Sequence, residues 1–81
     1  MNQRTENQII EIVKKVTHNS QVDINSTDKT VKGWDSLAYL LIAQKIEELF
    51  DVDINNENIN RFDSVRNVLE MINENKGGLN V

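Results

Sequence analysis

Ser36 is the residue best placed for chemistry, because it follows Asp35 where a polar segment gives way to apolar residues at helical spacing. The chain has no cysteine, and its one histidine, His18, falls near the end of a different predicted helix. Without a base beside it, Ser36 lacks what an enzyme nucleophile needs. It is better suited to being modified by another enzyme. A phosphodiester on its hydroxyl would lie at a helix N-terminus, where free N–H groups and the helix dipole stabilise an anion.

Two other polar motifs resemble functional sites but lack essential parts. Asp63 and Ser64 form a second Asp-Ser pair, which we interpret as an ordinary helix cap. The acidic residues between Asp51 and Glu57 are spaced like the start of a calcium-binding loop. Asn56 stands where that loop needs glycine, and Phe62 stands where it needs glutamate. We therefore expect neither a metal site nor a catalytic residue in this chain.

Apolar residues recur at helical spacing along the chain, which contains no proline. We predict an all-α, four-helix bundle with a long first loop, from Gln21 to Trp34, and a short third helix within Asn56 to Phe62. The second helix runs from about Asp35 to Phe50. The last helix starts near Ser64 and ends at Gly77-Gly78. The predicted core consists of Ile9, Val13, Val16, Ile42, Ile46, Phe50, Val65, Leu69 and Ile72, with Leu49 on the same stripe of the second helix.

The start of the second helix carries local signals of its own. Asp35 fits the N-cap, where its carboxylate accepts hydrogen bonds from free backbone N–H groups. Trp34 and Tyr39 stand at the two positions of a hydrophobic staple. In the long loop, Val22, Ile24 and Val31 are isolated apolar residues that we expect to anchor it to the core.

Three leucines of the second helix do not fit its core stripe. Leu37 and Leu41 lie one turn apart and point away from the core face, and Leu40 lies to one side. Neighbouring exposed apolar residues usually mark a contact surface. We therefore predict a partner surface here, and the alternative is that the long loop folds over these side chains.

The charge balance limits the classes of partner. The 81-residue chain has a net charge of −4, which argues against binding to nucleic acid. Acids cluster from Glu47 and Glu48 onward, either as a solvated face or as a docking surface for basic partners. No apolar run approaches the roughly 20 residues of a membrane-spanning helix. We expect one domain over residues 1–81 with an ordered core at about 5–76, and a cytoplasmic monomer without disulfides.

The segment Gly33-Trp34-Asp35-Ser36-Leu37 resembles the attachment motif of acyl and peptidyl carrier proteins, and the resemblance extends from about Ile9 to Ile72. It implies that a phosphopantetheinyl transferase, using Mg²⁺, moves a 4′-phosphopantetheine arm from coenzyme A onto Ser36. The thiol of the arm would carry acyl groups as thioesters. The resemblance also implies that Asp35 contacts the transferase and its metal, and that Leu37 fills an apolar pocket of that enzyme.

The chain departs from the carriers of fatty acid synthesis at Ala38 and Leu41, which stand where those proteins typically have acids. We therefore expect a non-catalytic carrier in a specialised pathway, such as polyketide or nonribosomal peptide synthesis. It would be served by a loading enzyme and by downstream enzymes. The alternatives are a D-alanyl, other aminoacyl or glyceryl carrier, or an unmodified helical interaction module whose leucines bind a partner.

Overall fold

The computed structural model describes residues 3–79, with side chains up to residue 74. It contains three α-helices: α1 (Gln3–Thr17), α2 (Ser36–Phe50) and α3 (Val65–Leu79). A single 3-10 turn, Ile59–Arg61, precedes α3. Apart from an isolated bridge between Thr27 and Ser64, these residues form no β-structure. The all-helical prediction is confirmed, and a four-helix count is not.

The predicted short third helix is only this 3-10 turn. Asparagine side chains explain why it does not extend toward α2. The Asn55 side chain accepts hydrogen bonds from the backbone N–H groups of Glu57 and Asn58, at 2.9 and 3.1 Å. Asn58 accepts one from Asn55 N–H at 2.9 Å. Such side-chain bonds compete with helical backbone pairing.

The C-terminal ends of α1 and α3 are formed differently. The last turn of α1 closes with His18 in the left-handed region (φ 55°), and Asn19 N–H donates to Lys14 O at 3.2 Å. This is a Schellman arrangement. The predicted end of α3 at Gly77-Gly78 is wrong, since the helix continues to Leu79. Glycine disfavours a helix by only about 1 kcal/mol and does not forbid it.

The long first loop is fastened at both ends of its course. Val22, Val31 and Trp34 are buried, and Ile24 packs half-buried against the core, so the predicted anchors are confirmed. Backbone hydrogen bonds also join the loop to the start of α3. Asp28 N–H donates to the Asp63 carbonyl at 2.8 Å, and Val65 N–H donates to the Ser26 carbonyl at 3.1 Å. The loop therefore forms one wall beside the N-terminus of α2.

The core agrees with most of the predicted set. Of that set, the fully buried members are Ile9, Val13, Ile42, Ile46, Val65 and Ile72. Val16, Phe50 and Leu69 are only half-buried. Leu49, predicted on the core stripe, is 52% exposed because it borders an open groove between α1 and the end of α2. Phe62, absent from the predicted set, is completely buried.

Candidate functional site

Ser36 is the first residue of α2, and its side chain is exposed. The preceding Asp35 has extended backbone geometry, and its Oδ1 accepts a hydrogen bond from Ala38 N–H at 2.9 Å. Tyr39 N–H donates to the Asp35 carbonyl at 2.8 Å. The predicted N-cap is therefore confirmed. Ser36 and Leu37 keep the free N–H groups that open every α-helix.

Gly33 lets the first loop reach this helix start. Its φ of 99° is unfavourable for other residues, and a Cβ there would lie 2.6 Å from the carbonyl oxygen of Thr17. The loop thus crosses the end of α1 in backbone contact before turning into α2. Trp34 follows directly and is only 5% exposed, which fixes the chain just before Asp35.

Beside Ser36 lies an open groove of about 420 Å³ between the first loop and α2. We call it the Trp34 groove. Its lining consists of Asp28, Trp34, Asp35, Ser36, Tyr39 and Leu40. Sequence reasoning did not identify Asp28, since a lone loop aspartate carries no motif and only the tertiary bond to Asp63 brings it here.

Tyr39 forms the inner wall of this groove. Its ring packs edge-on against Phe62, with centroids 6.3 Å apart, and its hydroxyl donates to the carbonyl of Ile59. Burial, together with the carboxylates of Asp63 and Asp28, raises the pKa of the Tyr39 phenol. The phenol thus stays protonated and ties α2 to the 3-10 turn.

The leucine patch, defined as Leu37, Leu40 and Leu41, is uncovered. These side chains are 67%, 59% and 40% exposed, respectively. The alternative in which the first loop folds over them is therefore wrong for this structure. Three neighbouring exposed leucines beside Ser36 give α2 an apolar outer face.

Ala38 does not belong to the apolar outer face of α2. It is 4% exposed and part of the core, so it adds nothing to the apolar surface beside Ser36, although it stands where carriers of fatty acid synthesis typically have an acid. Its small side chain lies inward of the cap, on the side of α2 that packs into the fold. Leu41 alone remains as the exposed apolar replacement.

The carboxylates of Glu47 and Glu48 are exposed near the other end of α2. Glu47 lies 11 residues beyond Ser36, or about 16 Å along the helix axis. At physiological salt, electrostatic screening acts over about 8 Å. These charges are therefore separate from the surface that adjoins Ser36.

The second Asp-Ser pair has a different environment. Ser64 is half-buried, and its Oγ accepts a hydrogen bond from Asn67 N–H at 3.0 Å, as expected for a cap of α3. Asp63 accepts another from the Asn67 amide at 2.9 Å. Within residues 3–79, no three His, Cys, Asp or Glu side chains are grouped as a metal site would require.

Comparison with known proteins adds a family match. The family model described as the phosphopantetheine attachment site matches residues 7–72, which covers most of the chain. No curated protein matches the chain. Among the described helices, none is long and apolar enough to cross a membrane. The matched region contains the whole of α2 and parts of α1 and α3, together with the Trp34 groove and the leucine patch.

Proposed function

The chain belongs to the phosphopantetheine attachment-site family, and from that premise we propose that it carries acyl or aminoacyl groups as thioesters on an arm attached to Ser36. The family bears covalently attached 4′-phosphopantetheine, and its carrier domains are generally non-catalytic. They work with a phosphopantetheinyl transferase and with the enzymes of a pathway. The arm supplies a thiol, which this cysteine-free chain otherwise lacks.

The observation that carries the assignment is the exposed hydroxyl of Ser36 at the first position of a capped helix. Asp35 already satisfies the N–H group of Ala38. The N–H groups of Ser36 and Leu37 are free to face an anion attached at this helix end. Ser64 is less suited, since its oxygen already caps α3 and its side chain is half-buried.

The attachment step makes one bond and breaks one. Ser36 Oγ bonds to the phosphorus of coenzyme A that bears pantetheine, and the pyrophosphate bond to that phosphorus breaks. Adenosine 3′,5′-bisphosphate leaves, and the hydroxyl proton passes to a base of the transferase. On this chain, Asp35 both orients Ser36 through the helix cap and presents an exposed carboxylate to the transferase and its Mg²⁺.

Leu37 supports recognition by the same enzyme. Among the described side chains it is the most exposed large apolar one, and it directly follows Ser36. An apolar side chain that is two-thirds exposed gains free energy when a partner's pocket takes it out of water. We therefore infer that Leu37 enters such a pocket of the transferase, and that Leu40 and Leu41 extend the contact.

The partners of the loaded carrier belong, on this proposal, to a dedicated pathway rather than to bulk fatty acid synthesis. The outer face of α2 beside Ser36 is apolar, and Glu47 and Glu48 lie about two screening lengths away. Recognition near Ser36 should thus depend little on salt, unlike recognition through a row of carboxylates. Polyketide, nonribosomal peptide and envelope-modification systems are the candidates, with acyl, aminoacyl or glyceryl cargo.

The test is a transfer reaction followed by intact mass spectrometry. The protein is incubated with coenzyme A, Mg²⁺ and a broad-specificity transferase, and it should gain one phosphopantetheine. Ser36→Ala should abolish the gain. Two controls should keep it: Ser64→Ala in the second Asp-Ser pair, and Ser20→Ala at an exposed loop serine.

Circular dichroism spectra of all three variants show whether each still folds. If Ser36→Ala still gains a phosphopantetheine, or if only Ser64→Ala fails to gain one, the arm is not attached to Ser36 and the assignment is wrong. An unmodified wild-type protein would instead favour the alternative of a helical interaction module that binds through the leucine patch.

A further inference from the structure

The Trp34 groove starts at Ser36 itself, so anything attached to that hydroxyl meets it first. Its apolar lining includes Trp34 and Leu40, and Leu40 is 59% exposed. Its polar lining includes Asp28 and Asp35. A groove of this mixed character suits a ligand that alternates methyl groups with amides and hydroxyls.

Trp34 adds a second, independent observation. Trp34 is only 5% exposed. Its Nε1–H is buried and has no acceptor among the described residues. Buried N–H groups without a partner are uncommon, because such a group has lost water and gained nothing in exchange. An amide carbonyl reaching this wall of the groove would supply the missing acceptor.

Asp28 is an available acceptor in the lining of the same groove. Its backbone N–H is held by the Asp63 carbonyl at 2.8 Å, which fixes its position. Its carboxylate takes part in no hydrogen bond or ion pair within the part of the chain that the structure describes. The adjoining loop surface carries Lys29 and Lys32, whose charges offset the carboxylates near an attached phosphodiester.

Resting on the proposed function, we propose that the Trp34 groove binds the pantetheine part of the arm attached to Ser36. The dimethyl carbon of the arm packs against Trp34 and Leu40. Its hydroxyl and amide N–H groups donate to Asp28, and a carbonyl accepts from Trp34 Nε1. Since Nε1 is enclosed, this contact requires a local movement of the first loop. The resting arm therefore lies on the loop side of α2 and leaves Leu37 and Leu41 free for partners.

Trp34 is the only tryptophan of the chain, so its fluorescence reports on this groove alone. The unmodified and the phosphopantetheinylated proteins are compared, after intact mass has shown complete modification of the second. We expect a shifted emission maximum and weaker quenching by acrylamide in the modified protein. In nuclear magnetic resonance spectra, the indole N–H should shift, and its ring should show contacts with the methyl protons of the arm.

Matched variants separate groove binding from a simple effect of the nearby phosphate. Leu40→Ser and Asp28→Asn should reduce the fluorescence change on modification, while Leu49→Ser, at a leucine that is 52% exposed and lies outside both the groove and the leucine patch, should leave it intact. Identical spectra of the two mass-verified forms would overturn the proposal. So would a full change in modified Leu40→Ser and Asp28→Asn. A protein that gains no mass fails the proposed function itself, which is a different result.

Discussion

Replacing Asp35 tests whether one side chain serves both the fold and the transferase. Asp35→Ala removes one hydrogen bond, from Ala38 N–H to Oδ1 at 2.9 Å. Loss of such a cap costs about 0.5–2 kcal/mol, and in a domain of this size 1 kcal/mol corresponds to about 4–8 °C in Tm. Asp35→Asn keeps an oxygen in the same place. It loses only the interaction of the charge with the helix dipole, about 0.3–1 kcal/mol.

The two variants should therefore rank differently in two assays. Thermal unfolding followed by far-ultraviolet circular dichroism should place Asp35→Asn close to the unmutated protein and Asp35→Ala clearly below it. Initial rates of phosphopantetheine transfer, followed by intact mass, should be slow in both, because both lack the carboxylate. Asp63→Ala is the matched control. It removes the aspartate of the other Asp-Ser pair and should leave the transfer rate unchanged.

Two results would refute this reasoning. Equal destabilisation by asparagine and alanine would show that the cap is not what Asp35 contributes to stability. Transfer to Asp35→Asn at the unmutated rate would leave Asp35 as a cap alone, without a role toward the transferase.

Three further substitutions test other parts of the structure. Gly33→Ala should destabilise the protein by at least about 1–2 kcal/mol in chemical denaturation, since it combines a positive φ with a clash against Thr17 O; a neutral result would contradict that geometry. Leu41→Glu should weaken binding to the cognate partner by about 1–3 kcal/mol in calorimetry if the side chain is buried there, and unchanged affinity would remove Leu41 from the surface. Arg61 lowers the pKa of the Glu74 carboxyl through its hydrogen bonds, so this pair stabilises the fold above pH 4.5 and loses its effect as pH falls through the lowered value. Glu74→Gln should thus reduce Tm near neutral pH but not in acid, and a pH-independent difference would contradict the pairing.

The sequence predicted those parts of the site that depend on local chemistry. Asp35 caps α2 as expected, because an aspartate before a helical stripe has one favourable use for its oxygen. The exposure of Leu37 and Leu41 followed from their angle on the helix. These features need only the residues within a few turns of Ser36.

Features that depend on what covers a helix were not predictable in this way. Ala38 and Leu49 lie at similar angles around α2, yet Ala38 is buried and Leu49 borders an open groove. Periodicity gives the direction of a side chain and not its neighbour. The Trp34 groove likewise depends on the contact that brings Asp28 to Asp63, which joins distant parts of the chain.

The central claim, that Ser36 bears the arm, is tested most directly on protein purified from its native host. Intact mass spectrometry reports any arm and its cargo, and fragmentation of the peptide that contains Ser36 locates the attachment. We predict a population that carries one phosphopantetheine, with or without an acyl or aminoacyl group, on Ser36 and on no other serine. A wholly unmodified population from cells that use the protein, or an arm on Ser64, would contradict the claim.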